Sequence, residues 1–259
     1  MVALSVTGCF YLDSCVVISE LLDENKERMD KFKRDVKNYT ISCYVSETVI
    51  NECKKKVTKT VDFVGNLLSN IIAGYLEKLG TPYQRDLAVT PISNDDLHII
   101  RTAFLEIGSN ARKFDLFSDP FQAVEEWIVE KYEGELDKAK KPTIYSLLTQ
   151  LTAIILKEVN SLQSDFESLI ELEASYIVQS IEIPDPLISA ILVNNGIHQT
   201  DADNISVISS HQKNNHNKAI FLTFDYSTIL RNWAKIQNSN VKLNNINCCD
   251  PIYGLSFLR

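Results

Sequence analysis

The chain opens on a short apolar, β-prone run, Gly8–Asp13, that ends in an acid. Val16, Val17, Leu21 and Leu22 follow at helical spacing, and a strongly charged stretch continues to Asn38. A second apolar run, Thr40–Val45, predicts another strand. Ser46 is a good helix cap, and the helix behind it carries Val49, Ile50, Cys53 and Val57 on one face. Strand, helix, strand and helix in immediate succession predict a parallel α/β sheet.

From about Val57 to Ile181 the strand signal disappears. Leu67, Leu68, Ile71, Ile72, Tyr75 and Leu79 keep a helical period until Gly80, and Gly80–Pro91 predicts a loop. Ser93 or Asn94 caps a helix bearing Leu97, Ile100, Phe104 and Ile107. Asp119-Pro120 opens another, with Val124, Trp127, Ile128 and Tyr132. Pro142 opens the longest pattern, from Ile144 through Leu151, Ile155 and Phe166 to Ile177, as one long helix or a kinked pair.

Pro184–Gly196 and Asp201–Gln212 predict two further helices. Ala219–Phe224 is a buried strand followed by an acid, Asp225; Ser227–Ile236 returns to helix, and Val241–Ile246 predicts an edge strand. The α/β signal thus resumes after a long helical stretch. One α/β domain interrupted by helices accounts for this order more simply than two domains in series.

Composition narrows the function. With 26 Lys and Arg against 34 Asp and Glu, the formal net charge is −8. That balance argues against holding nucleic acid by bulk positive charge, though not against local basic patches. No run approaches the roughly 20 apolar residues of a membrane helix. Met1–Val6 has no basic segment ahead of an apolar one, so no secretory signal is expected. Cysteines 9, 15, 43, 53, 248 and 249 make no CxxC pair. They read as thiols of a reducing, cytoplasmic compartment rather than a zinc framework.

The candidate chemistry is acidic. Asp13 and Asp225 each end an apolar strand, and the carboxyl edge of an open parallel sheet is where ligands bind. Glu52 lies in the helix after the second strand, and Asp201 and Asp203 open the helix before the next clear strand. Carboxylates gathered this way repel one another unless a hard cation such as Mg²⁺ or Mn²⁺ neutralises them. Each acid also has a plainer reading. Asp13 and Asp225 suit helix caps, Asp203 a helix N-terminus, and Glu52 a charged surface beside Lys54, Lys55 and Lys56.

Four segments in order resemble the motifs of PIN-domain nucleases. Tyr11-Leu12-Asp13-Ser14-Cys15-Val16-Val17-Ile18 is similar to their opening, and Ser46-Glu47-Thr48-Val49-Ile50-Asn51-Glu52 to the second motif. Asp203-Asn204-Ile205-Ser206-Val207-Ile208 resembles the third and Phe221-Leu222-Thr223-Phe224-Asp225 the fourth. The resemblance implies a three-layer α/β/α fold with a central, mostly parallel sheet, built from residues 1–60 and 184–259, with residues 61–183 as a helical insertion. It also implies that Asp13, Glu52, Asp203 and Asp225 are the catalytic, metal-binding acids, using Mg²⁺ or Mn²⁺. Ser14 and Thr223 would be supporting hydroxyls, and Asp201 an alternative to Asp203. Cys15 departs from the Asn common in the family, and Ser227 from a second Asp many members carry.

The activity implied is metal-dependent hydrolysis of RNA, leaving a 3′-hydroxyl and a 5′-phosphate. The alternatives are a non-catalytic PIN-like scaffold for RNA or a protein, and a structure-specific DNA nuclease. Lys54, Lys55, Lys56 and Lys59 are the expected nucleic-acid contacts, and Lys26–Lys37 forms a second basic cluster. The apolar stripe of the insertion suits a core, a homo-oligomer or a protein partner rather than a polar channel. An aspartyl-phosphate phosphatase would need an acid two positions after Asp13, where Cys15 stands. No P-loop, dinucleotide fingerprint or HExxH pattern occurs, and His211 and His216 read as exposed loop residues.

Overall fold

In a computed structural model the described residues are 8–22, 25–78, 91–132, 142–170, 177–180, 184–214, 218–239 and 243–258. The chain start, most of the 80–91 loop, Lys138, Lys140, Lys141 and His216 lie outside them. The chain divides into two compact units, Met1–Cys53 with Asp165–Arg259, and Lys54–Ser164.

The first unit is built on a wholly parallel sheet. Strands β1 (Gly8–Leu12), β2 (Ser42–Ser46), β4 (Lys218–Leu222) and β5 (Ile246–Cys249) lie in the order β2-β1-β4-β5, and β3 (Ile177–Ser180) extends the sheet beyond β2. Register pairs Phe10 with Cys43 on one side and with Ile220 on the other. Side-chain alternation buries both faces. Phe10, Leu12, Cys43, Val45, Ile220 and Leu222 form one core with residues of helices α1 (Ser14–Leu21) and α2 (Lys26–Tyr39). Cys9, Tyr11, Ala219, Phe221 and Ile246 form the other with α7 (Pro186–Asn194), α8 (Gln199–Asn214) and α9 (Trp233–Ser239). A sheet covered on both faces is the three-layer α/β/α arrangement, and near-continuous apolar strands are its sequence signature.

Chain order sets where ligands can enter. From β1 the chain proceeds outward to β2 and β3, then returns to the opposite side of β1 for β4 and β5. The switch point therefore lies between β1 and β4, and the crevice opens at their carboxyl ends.

The second unit is helical. It takes in α4 (Asn94–Asn110), α5 (Asp119–Tyr132), most of α6 (Ile144–Ile170) and the part of α3 (Glu47–Lys78) after Cys53. Ser93 and Asp96 form a reciprocal capping box at the start of α4. Val64, Leu68, Ile100, Phe104, Phe121, Val124, Leu147 and Leu151 share one core. This is the apolar stripe expected of the middle of the chain. Among the described residues, no helix is long and apolar enough to cross a membrane.

Three elements differ from the pattern. Ile177–Ser180 forms a strand where the pattern extends the long helical stripe; α6 ends at Ile170, and the β-branched Ile177-Val178 pairs in register with Cys43 and Tyr44 respectively. A run that short has no readable period, so the open edge of β2 decides its state. The last strand is Ile246–Cys249 rather than Val241–Ile246. After Asp225, regular helix begins only at Trp233, because the Asp225 carboxylate caps a turn through Ser227 N and Thr228 N.

Candidate active site at the carboxyl edge of the sheet

Asp13 begins where β1 ends. Its backbone N–H donates to Leu222 O at 3.0 Å, which continues the β1–β4 ladder one step past the strand. Its φ of −81° and ψ of 161° are those of an N-cap, and Oδ1 accepts the Ser14 N–H of α1 at 2.9 Å. Oδ2 accepts from Thr223 Oγ1 at 2.6 Å and from Cys15 Sγ at 3.2 Å. The plain reading as a cap is thus true of one oxygen, while the other faces the neighbouring strand.

Thr223 ties the two acidic strand ends together. Its hydroxyl donates to Asp13 and accepts the Asp225 backbone N–H at 2.9 Å. Asp225 Oδ1 collects Ser227 N, Ser227 Oγ and Thr228 N at 2.8–2.9 Å. Burial pushes the Asp225 carboxyl up, but the hydrogen bonds from Thr228 and Ser227 outweigh it and hold the group below its ordinary value. Asp13, only 4% exposed, goes the other way. Burial raises it, the bonds from Thr223, Cys15 and Ser14 offset part of that, and the Asp225 charge adds to the rise.

Asp201, in the first turn of α8, is the member of the 201/203 pair that feels the charge of these groups. Burial, then the charges of Asp13, Glu52 and Asp225, push its carboxyl up to about 7. Asp201 therefore feels acids from three other stretches of the chain. Asp203 is engaged elsewhere: its Oδ1 accepts from Ser189 Oγ of α7 at 2.6 Å and from Gln199 Nε2 at 2.8 Å. Two positions along a helix turn a side chain to another face, so only one of the pair can look into the crevice.

Ser46 ends β2 and starts α3, with Oγ accepting Val49 N–H at 3.3 Å and donating to Asn204 Oδ1 at 2.6 Å. This bond holds the start of the helix that carries Glu52 against α8. Ser14 is buried and contributes its backbone N–H to Asp13.

Cys15 stands inside the network. Its sulfur accepts the Phe224 N–H at 3.1 Å and lies 3.3 Å from Thr223 Oγ1. Burial and the Asp13 charge push the thiol up, so it is a neutral S–H beside the carboxylate. Cys248 is raised by burial and by Cys249, and also feels Asp13, Cys15 and Asp225. All six cysteines are free thiols.

The sequence-predicted lysines belong to the helical unit. Lys54, Lys55 and Lys59 are exposed, and Lys56 and Lys59 approach Asp115 at 3.9 and 3.8 Å. His211 is not a loop residue: it lies on α8, where its Nδ1 meets Tyr11 Oη at 2.5 Å and its ring lies 4.8 Å from that of Tyr44.

One edge acid escaped the sequence reading. Asp250 follows β5, is buried, and caps a 3₁₀ turn, Pro251–Tyr253, through Ile252 N. Its signal was the Asp-Pro pair behind an apolar run, the signature already recognised at Asp119-Pro120. The misplaced last strand hid it.

The donor chemistry suits a hard divalent cation, since the crevice presents carboxylate and hydroxyl oxygens. The spacing is looser: among the described residues no group of three or more His, Cys, Asp or Glu side chains is arranged to hold a metal ion. As placed, the acids form an electrostatic cluster rather than a closed ligand shell. Compared with protein-family models, curated proteins and solved structures, the chain matches none.

Proposed function

We propose that this chain is a PIN-like, metal-dependent ribonuclease acting at the β1/β4 crevice. The observation that carries the reading is the Asp13–Thr223–Asp225 connection across the switch point, with the Asp201 carboxyl raised by the charges of Asp13, Glu52 and Asp225. A helix cap alone needs neither a second acid behind the same hydroxyl nor two more from distant segments.

Asp13, Asp201, Asp225 and Glu52 would have to close up from their present spacing to hold Mg²⁺ or Mn²⁺, which when bound would activate water and offset charge developing on phosphorus. The chain's own contribution is orientation. Thr223 and Cys15 aim Asp13 Oδ2, and the Ser227–Thr228 turn keeps Asp225 ionised and fixed. Asp201, raised by burial and by its acidic neighbours, is the carboxylate that a bound cation would relieve most. The test is cleavage of a 5′-labelled RNA with Mn²⁺ or Mg²⁺, with and without chelator. Wild type should cut only with the ion, and Asp13→Asn should lose at least 100-fold. Equal cleavage by both proteins rejects the assignment. Matched DNA and RNA substrates in competition decide the polymer.

A second reading is a non-catalytic PIN-like scaffold. It is favoured by Asp13, whose two oxygens are both engaged by protein donors, and by the absence of a closed ligand set among the described residues. Calorimetry showing no Mn²⁺ binding, with RNA or protein binding retained, would select it.

A further inference from the structure

Just outside the acidic crevice lies a constellation that the cleavage chemistry does not use. The Asp250 carboxylate, 3% exposed, accepts at Oδ2 from Arg28 Nη1 at 2.9 Å and from the Tyr226 hydroxyl. Arg28 Nη1 also reaches Tyr226 Oη at 3.4 Å, and the guanidinium carbon lies 5.9 Å from the centre of the Phe224 ring. Arg28 comes from α2, Tyr226 from the turn after β4, and Asp250 from the end of β5. Beside them, Lys31 Nζ donates to Ile252 O at 2.7 Å, next to the exposed Tyr253.

Two features set this apart from an ordinary surface ion pair. The anchoring carboxylate is buried, while the groups it anchors remain accessible: the Arg28 side chain is 42% exposed and Tyr226 is 51% exposed. Tyr226 also directly follows Asp225 in the chain, so the strip is continuous in sequence with the acidic edge. An aromatic ring held by its hydroxyl presents its face at little entropic cost. A guanidinium with one nitrogen committed keeps further N–H groups for a phosphate. Cations interleaved with aromatic rings are what an unpaired polynucleotide recognises, since every base has a π-face and every linkage a charge.

We propose that Arg28 and Tyr226, positioned by Asp250, form a binding strip for single-stranded nucleic acid that leads into the Asp13–Asp225 crevice. A base stacks on Tyr226 and a flanking phosphate bonds Arg28. Because Asp250 balances the Arg28 charge, what Arg28 offers a polyanion is directed N–H donors rather than net positive potential. The inference rests on the nuclease reading for its direction, but its binding step needs no metal.

The experiment is fluorescence anisotropy in chelator with the full chain. Ligands are a labelled oligouridylate, the matching oligodeoxythymidylate and a duplex, tested against wild type, Tyr226→Phe, Tyr226→Leu and Arg28→Gln. Tyr226→Leu should weaken single-strand binding about 5- to 100-fold, and Tyr226→Phe less than about threefold. Arg28→Gln should reduce the slope of log affinity against log salt by about 0.7. Duplex affinity should change little in the two Tyr226 variants, and the two single strands show which sugar is preferred. A merely structural staple would make Phe as damaging as Leu, because both lose the hydroxyl bond; that result overturns the proposal. So does an unchanged affinity in Tyr226→Leu, or no oligonucleotide binding by wild type combined with self-association that Tyr226→Leu abolishes, which would make the strip a contact between copies. Mn²⁺-dependent cleavage with unaltered binding in Tyr226→Leu removes the strip and spares the nuclease reading. Tyr226-dependent binding without cleavage does the reverse.

Discussion

The hydroxyl of Thr223 donates to Asp13 Oδ2 at 2.6 Å across the carboxyl ends of two adjacent parallel strands, 210 positions apart in the chain. The same oxygen accepts the backbone N–H of Asp225 at 2.9 Å, so one side chain sets the distance between two acids.

Thr223→Val keeps the shape and removes both bonds. Hydrogen bonds to charged groups contribute about 1.5–3 kcal/mol, so a loss of about 2 kcal/mol is expected, a fall in melting temperature of roughly 4–8 °C. Thr223→Ser keeps the hydroxyl and should lose less than half as much. Equal melting temperatures for Val and wild type would show that the hydroxyl contributes nothing.

The acids at the crevice make stability depend on pH in a defined sense. Asp201 has a folded value of about 7 against an ordinary 3.8. Its favourable contribution is complete below about pH 3.8 and is lost as pH rises through 7, where the folded chain must hold an added charge. Asp13 is raised and acts in the same direction. Asp225 is lowered, and its contribution is present above 3.8 and lost only in stronger acid. Between pH 5 and 8 the first two therefore dominate. Asp201→Asn should flatten the decline in unfolding free energy over that interval, measured by urea denaturation. Parallel profiles for mutant and wild type would contradict the mutual repulsion.

Asp201 and Asp203 should separate cleanly on substitution. Asp203→Ala removes the bonds from Ser189 and Gln199, and an expected cost of about 1–2 kcal/mol should leave the thermal shift produced by added Mn²⁺ intact. Asp201→Ala should keep stability near neutral pH and abolish that Mn²⁺ shift. The opposite assignment of effects would put Asp203, not Asp201, at the crevice.

The sheet was legible because its strands are apolar on both faces. Phe10 and Tyr11 point to opposite cores, as do Ile220 and Phe221, and the run reads as buried whichever face is considered. Asp13 and Asp225 were legible as strand-end acids for the same reason. Less visible was Asp250, because Ile246–Cys249 contains an exposed Asn247 and two cysteines rather than a clean β-branched run. His211 was misread because its neighbours His216, Lys213 and the asparagines suggest a loop, whereas contact with Tyr11 and Tyr44 places it on α8.

Local sequence settled β1, β2, β4 and most of the helices, and the acids Asp13 and Asp225 behind two of those strands, since burial periodicity and capping chemistry act over a few residues. Partnership between distant residues followed other rules. The return of the chain across β1 put β4 beside it, and that crossing brought Thr223 to Asp13. The rotation of α8 bound Asp203 to Ser189 and left Asp201 in the field of Asp13, Glu52 and Asp225. Those choices depend on which strand edges pair and which helix faces bury apolar surface, and both are decided only when remote segments of the chain meet.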